Sequence, residues 1–529
     1  MAINDQVTIP SGTGSASHWL SGSDVPDDTG ATPTGTAPAG SLYFRHDPAA
    51  GAPGVGPAVF EKAPAYTPAG AAQAIPAGWR PLAGGEVINV KRFGARGDGT
   101  VDDSPAFNAA FAAARAASSY PFGSPPVYAP AGKYLLSSPL NMTSSQLNLV
   151  GDGMFQTVLV GNTGTGKCVV DMTGASYSSV ADLSILTVAS GSVPAPGSPS
   201  TFGVVWNRTP GGAMEMNRLE RVHVWMGTAA SGAPQTIALY NCGSEVSSIR
   251  RCSLRADSAL VLTLENYAGF VSDYVPTATD GISMTVFEAD RDSYLVGLAK
   301  ACVVIRGAAS VRIDSYLTNQ NPTLTPPAAV PPYAVEVIGD TYDLYLGGSV
   351  EAYPVSLAVL NARLRGLQYH HYHSHPTSGT WTSNIRLEQA YLTESLVHPV
   401  PAAGNESNGY PGGSDFLIDG VASELTSSVI YAYGTQNIRL VGGTRNSIIA
   451  GCVVVTDGKV GDFTISGVAT ANGVQIVGED GVRIGTVGTV SARPPANTVA
   501  VGTQHFDVLT ARPVWSDGTS WRYADGTPA

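Results

Sequence analysis

The sequence predicts an all-β protein built around a parallel β-helix, with a short helix at its start and small β modules at both ends. Three observations carry that reading. Only 13% of residues are charged, whereas Gly (61) and Pro (37) are plentiful and 43% of residues are apolar. This balance fits many short strands joined by turns better than packed helices. A short apolar-x-apolar phrase also recurs through the middle of the chain, and both ends carry aromatic, strand-like stretches unlike that middle.

Residues 1 to 86 are rich in Gly, Ala, Pro, Ser and Thr around GSLYFRHD (40–47), VFEK (59–62) and GWRPL (78–82). Short strands on flexible connectors fit this pattern, and they predict a separate head region. The chain then reads INVKRFGARGDGTVDDSPAFNAAFAAARAA. A strand-like start and a turn over Gly94–Gly99 lead into a helix with Asp or Ser as N-cap, Pro105 in its first turn and Phe107 and Phe111 at i, i+4. Such a helix would cover the open end of a coil, where an uncapped rung exposes unpaired backbone groups. Arg96-Gly97-Asp98 sits inside this element, so the glycines and Asp98 serve a tight turn rather than a displayed adhesive loop.

From 87 to 490 the repeated phrase appears as SSVADLSIL (178–186), NRLERVHVW (217–225), SSIRRCSLR (247–255), ASVRIDSYL (309–317), YDLYLGG (342–348), SNIRLEQAYL (383–392) and QNIRLVGG (436–443). Intervals of roughly 30 to 40 residues or their multiples belong to stacked repeats. Each unit is short, β-branched and ended by Gly, Ser or Asn, as a rung of a coil should be. Residues 491–529 close the chain with GTQHFD, RPVWSDG and SWRYADG, a small aromatic unit with too little core to stand alone.

The stretch from 88 to 118, continued by VYAPAGKYLLSSPLNM (127–142) and LNLVGDGMFQTVLVG (147–161), resembles the cap and first rungs of pectate-lyase-like parallel β-helices. In particular it resembles those of bacteriophage tailspikes and receptor-binding spikes. GTQHFDVLTARPVWSDGTSWRYADG resembles a short unit at the ends of phage fibre and spike proteins. The resemblance implies a right-handed, single-stranded coil and a homotrimer. It also implies attachment to other virion proteins through residues 1–86, a place on the virion as a tail or capsid spike, and bacterial surface polysaccharide as the partner.

Composition narrows the function classes. A net charge of −12 disfavours a broad grip on nucleic acid, which needs clustered cations. No apolar run approaches the ~18 residues of a membrane span, and MAINDQVTIPSGTG lacks the basic start and apolar core of a secretory signal. Five cysteines (168, 242, 252, 302 and 452) without CxxC spacing fit buried single thiols. GNTGTGK (161–167) lacks the spacing of a phosphate loop, because Cys168 follows Lys167. No cofactor and no metal requirement is read from the chain.

Three features carry chemistry. In MTVFEADRDSYLVG (284–297), Glu288, Asp290 and Asp292 alternate; were the segment extended, they would share one face while Phe287 and Ala289 pointed into the core. Carboxylates so close favour one protonated acid beside one ionised base, the pair that glycoside hydrolysis needs. Asp314, Glu351 and Glu388, each near a rung phrase, are the further catalytic candidates. An arginine recurs between inward apolar residues, as Arg250, Arg312, Arg386, Arg439 and Arg483, and at equivalent outward positions it would pair with carboxylates of an acidic polysaccharide. The plain alternative is a solvated or intersubunit face. Trp225 and Tyr267 are candidate sugar-stacking rings.

The third feature is LQYHHYHSHP (367–376). It offers His371 and His373 on one face and His370 and Tyr372 on the other. A surface loop, a glycan contact, an acid–base pair and an imidazole cluster on a threefold axis are its open readings. The leading functional expectation is a phage-type spike that binds bacterial surface polysaccharide, with depolymerisation by hydrolysis ahead of elimination. The alternatives are a non-catalytic adsorption spike and a free bacterial polysaccharide lyase.

Overall fold

The computed structural model describes residues 3–9, 17–22, 42–45, 58–63, 78–81, 87–118, 123–187, 201–209, 214–227, 235–263, 286–318, 333–351, 355–370, 372–374, 385–397, 416–421, 423–432, 438–442, 448–456, 464–466, 470–472, 474–478, 483–488, 493, 495–499, 501–507 and 512–529. The architecture is all-β with few helices, and successive turns of the chain wind into a parallel coil.

The coil has three faces. On the first, Val127–Ala129, Asn148–Gly151, 179–181, 218–220, Ser247–Arg250, Phe287–Ala289, 311–313 and 344–346 pair rung on rung. On the second stand Gly132–Leu136, Thr157–Gly161, 184–186, 223–225, Ser253–Ala256, Tyr294–Gly297, 316–318 and 349–351. The third runs through Cys168–Asp171, Phe202–Asn207, Ile237–Cys242, Ser258–Thr263, 303–306, 333–337, Val355–Leu360 and Ile385–Glu388.

The apolar-x-apolar phrases make this possible because alternate residues of a strand point to opposite sides. Leu219, Ile249, Phe287, Val311 and Leu344 occupy successive rungs of the first face, and all are buried in one continuous core. Each such side chain contributes about 1.5–3 kcal/mol by leaving water. All five cysteines are buried single thiols, so they pack as small apolar residues.

The helix Ser104–Ala116 buries Phe107, Ala110, Phe111 and Ala114 against the same core. Phe107 meets Tyr134 edge-on with ring centres 5.2 Å apart. Its entry differs from the expected cap. Asp103 occupies the N-cap position without a side-chain bond to the helix; Asp102 Oδ1 accepts from the Ser104 amide and hydroxyl instead. Asp103 turns back and accepts from the amides of Arg96 and Gly97 at 2.7 and 3.1 Å. Asp98 accepts from the amides of Thr100 and Val101. The Arg96-Gly97-Asp98 stretch is therefore bonded into its own turn.

Near the start, Ile3–Ile9, Ser17–Gly22, Leu42–Arg45, Ala58–Ala63 and Gly78–Pro81 form a five-stranded sheet in chain order. Near the end, Gln504–Asp507, Arg512–Ser516 and Trp521–Arg522 pair antiparallel, and Ala496, Val514 and Trp521 form a small separate cluster.

Candidate functional site

A change in rung length creates the candidate site. Ala289 pairs with Ile313 and Leu295 with Leu317, so the corner between the first two faces takes six residue steps on one rung and only four on the next. The two extra residues fall in the turn at Arg291 and Asp292, and Arg291 reaches Asp314 of the shorter rung. A cavity of about 510 Å³ opens there, lined by Arg291, Ser315, Tyr316, Tyr345, Gly348, Ser349 and His370.

Its walls are rings. Tyr316 stacks on Tyr294 of the preceding rung at 5.1 Å and 14°, and Tyr345 meets His370 at 5.4 Å. The floor depends on two glycines. A Cβ at Gly348, whose φ is +75°, would approach the Ser315 carbonyl oxygen to 2.3 Å; one at Gly347 would stand 2.6 Å from Asp314 Oδ1. At Gly348 only glycine lets the rungs approach this closely.

Arg291 is the charged residue of the lining, and it pairs with Asp314, as Arg312 also does. Asp314 is 8% exposed. Arg312 donates to its Oδ2 at 3.2 Å while Arg291 lies 3.7 Å from Oδ1. Oδ1 is buried and has no hydrogen-bond partner, an uncommon state for a buried carboxylate oxygen. Arg291, 77% exposed, keeps donors facing the cavity.

The acidic cluster is not arranged as the alternating pattern led one to expect. Phe287 and Ala289 do point into the core, but the chain turns after Ala289, so the three carboxylates do not share a strand face. Glu288 lies exposed beside Arg250 at 4.0 Å. Asp290 accepts from the Arg251 amide and from Ser293 Oγ at 2.6 Å, shaping the turn. Asp292 faces Arg251 at 3.6 Å. Each is matched by a donor or cation rather than crowded against another carboxylate.

The arginines do not form one column. Arg250 and Arg312 both lie on the first face but two rungs apart and two positions out of register, whereas Arg386 lies on the third, where it faces Glu388 at 3.5 Å. The same apolar-x-apolar phrase builds every face, so phrase position alone does not say where an outward residue stands. Trp225 is 45% exposed on the second face, with Arg255 over its ring. The Glu351 backbone pairs with Thr318, and His373 pairs with Val350; their side chains, like His371 and Tyr267, lie outside the described residues. Among the described residues no group of three or more His, Cys, Asp or Glu is gathered for a metal ion.

Arg291, Tyr316 and Tyr345 of the cavity lining were not among the sequence candidates, and His370 entered only as the residue opposite His371 and His373. The signal was faint but present: Tyr316 and Tyr345 are outward residues of phrases already recognised, and Gly347-Gly348 interrupts one of them.

Comparison with known proteins gives the chain a partial place. Residues 87–184 match the family model described as rhamnogalacturonase A/epimerase, pectate lyase-like. Mannuronan C5-epimerases AlgE3 and AlgE1 of Azotobacter vinelandii are 39% and 38% identical over 97 residues, which is 17% of this chain. That stretch spans only 5% and 7% of those relatives' length. Among solved structures, tailspike protein 2 of bacteriophage CBA120 is similar over 83% of this chain and 59% of its own, at 12% identity and a TM-score of 0.48. The surface adhesin PfbA of Streptococcus pneumoniae is similar over 75% of this chain and 93% of its own, at 12% identity and a TM-score of 0.42.

Proposed function

We propose that the protein is a phage-type spike that binds bacterial surface polysaccharide, with the groove at Arg291 as its glycan site. The observation that carries this reading is the meeting of the Tyr316, Tyr345 and His370 rings with the Arg291 guanidinium around one open cavity. Ring faces cover the C–H faces of sugars, and a guanidinium holds a sugar carboxylate through paired hydrogen bonds. The name of the matched family model, and that of relatives acting on mannuronan, support a polysaccharide as ligand. In this reading residues 1–86 attach to the virion, residues 87–490 form a right-handed coil capped by the helix Ser104–Ala116, residues 491–529 form a terminal module, and three copies assemble.

A second reading, depolymerisation, is favoured by Asp314 Oδ1. That oxygen accepts no hydrogen bond and lies 3.7 Å from Arg291, which lines the cavity, so Asp314 is a carboxylate tied to the groove through that arginine. The test is incubation of the protein with capsular polysaccharide and lipopolysaccharide fractions and with mannuronan, followed by glycan sizing. Retained but unshortened glycan supports binding alone. Shortened glycan without a new unsaturated sugar supports hydrolysis, and shortened glycan with one supports elimination. A glycan neither retained nor shortened, with Arg291→Ala indistinguishable from the parent, overturns the groove as the site.

A further inference from the structure

We infer that a second glycan subsite lies on the same face as the groove, at Phe155, His223, Trp225 and Arg255, and that one acidic polysaccharide chain spans both. The inference rests on the groove's being a glycan site. Phe155 is 69% exposed and held in a left-handed conformation, φ +71°, in which large side chains are uncommon. Its amide donates to Ser184 Oγ at 3.1 Å, fixing a bulky ring outward where burial gives it nothing. That ring lies 5.0 Å from the His223 ring. His223 in turn meets Trp225 edge-on at 6.4 Å, and the Arg255 guanidinium stands 5.1 Å over the indole. His223 Nδ1 is buried without a hydrogen-bond partner.

Continuity with the groove identifies the occupant. His223, Ser253, Tyr294 and Tyr316 follow one another in register on successive rungs. Three rung spacings of ~4.8 Å separate the patch from Tyr316 by ~14 Å along the coil, a span of several sugar units. The strands between them read VHVW, SLRA, YLVG and YLT. None of these four strand segments carries a carboxylate, and an arginine stands near each end, Arg255 over Trp225 and Arg291 paired with Asp314 beside Asp292. A positive, ring-bearing strip of this length suits an extended uronate polymer.

The experiment measures binding of mannuronan and polygalacturonate, each as polymer and as short oligomers, to the full chain and to Trp225→Ala, Phe155→Asn and Arg291→Ala. The parent is expected to hold one polymer at least about tenfold more tightly than its short oligomers, as two linked contacts require. Trp225→Ala and Phe155→Asn remove that advantage and leave oligomer affinity unchanged, while Arg291→Ala weakens both. Polymer affinity untouched by Trp225→Ala and Phe155→Asn overturns the second subsite while the groove stands. Equal losses for oligomer and polymer in those variants overturn it as well. Loss in the patch variants with none in Arg291→Ala overturns the groove instead. Retention of neither polymer by the parent overturns the acidic-glycan reading at both places.

Discussion

The guanidinium of Arg312 stands 4.0 Å above the ring of Tyr345 while one of its nitrogens donates to Asp314 Oδ2. One side chain thus sets the tilt of a groove wall and anchors the groove's carboxylate. Arg312→Lys keeps the charge but loses the planar stack on Tyr345. It is expected to lower glycan affinity about tenfold, with unfolding stability changed by less than about 1 kcal/mol because the Arg312 side chain is about half exposed. Calorimetric titration alongside denaturant unfolding checks both halves; unchanged affinity with lowered stability would make the stack purely structural.

Gly347 and Gly348 are neighbours with different duties. At Gly348 an added Cβ meets the Ser315 backbone and the φ of +75° is unfavourable, so Gly348→Ala is expected to cost about 2–4 kcal/mol of stability. At Gly347 the Cβ meets Asp314 Oδ1 and the Tyr345 ring, side-chain atoms that can shift. Gly347→Ala is expected to keep most of the stability and lose glycan binding. Thermal unfolding and glycan retention on both variants separate the two.

How far the sequence could be read follows from the same residues. Leu219, Ile249, Phe287 and Val311 had to be apolar because they face one shared core, so the coil was legible. The groove was not, because it arises from the difference between two rungs: six steps from Ala289 to Leu295 against four from Ile313 to Leu317. A difference in corner length becomes visible only after register is known. The same limit placed Arg250, Arg312 and Arg386 in one imagined column and drew Glu288, Asp290 and Asp292 onto one imagined strand. Corners also hide themselves: Asp182, Arg221 and Arg251 take φ of 57°, 51° and 51°, positions where a reader expects glycine.

His223 supplies a pH dependence. Burial, with nearby Arg255 second, holds its pKa below the ordinary 6.5. The unfolded chain therefore takes up this proton before the folded one does. As pH falls through 6.5 the unfolded state binds more protons and stability declines; above it both states are neutral here and the contribution is flat. His223→Gln is expected to remove that part of the decline. The difference between parent and variant melting temperatures from pH 8 to pH 5 measures it, and parallel curves would contradict it.

Val246 holds a left-handed φ of 51° while 49% exposed. For a β-branched residue this conformation is strained by about 1–2 kcal/mol. Val246→Asn is expected to stabilise the coil by about 0.5–1 kcal/mol, seen as a higher denaturant midpoint with an unchanged slope. A lower midpoint would mean that the exposed valine is held by a contact worth more than its strain, and would point to a partner surface along that corner.

Asp103 decides what the Arg96-Gly97-Asp98 stretch is for. Its carboxylate is 1% exposed and accepts the amides of Arg96 and Gly97, while a Cβ at Gly97 would come within 2.9 Å of the Tyr134 ring. The tripeptide is therefore held by its backbone against the first rung. Asp103→Ala strands two amide donors beside the helix start and is expected to cost about 1–3 kcal/mol. Asp98→Ala, which loses an exposed turn contact, is expected to cost less than Asp103→Ala. Denaturant unfolding orders the two, and cell attachment by Arg96→Ala equal to that of the parent completes the test. Were Asp98→Ala to abolish attachment while leaving stability untouched, the stretch would be an adhesive loop after all.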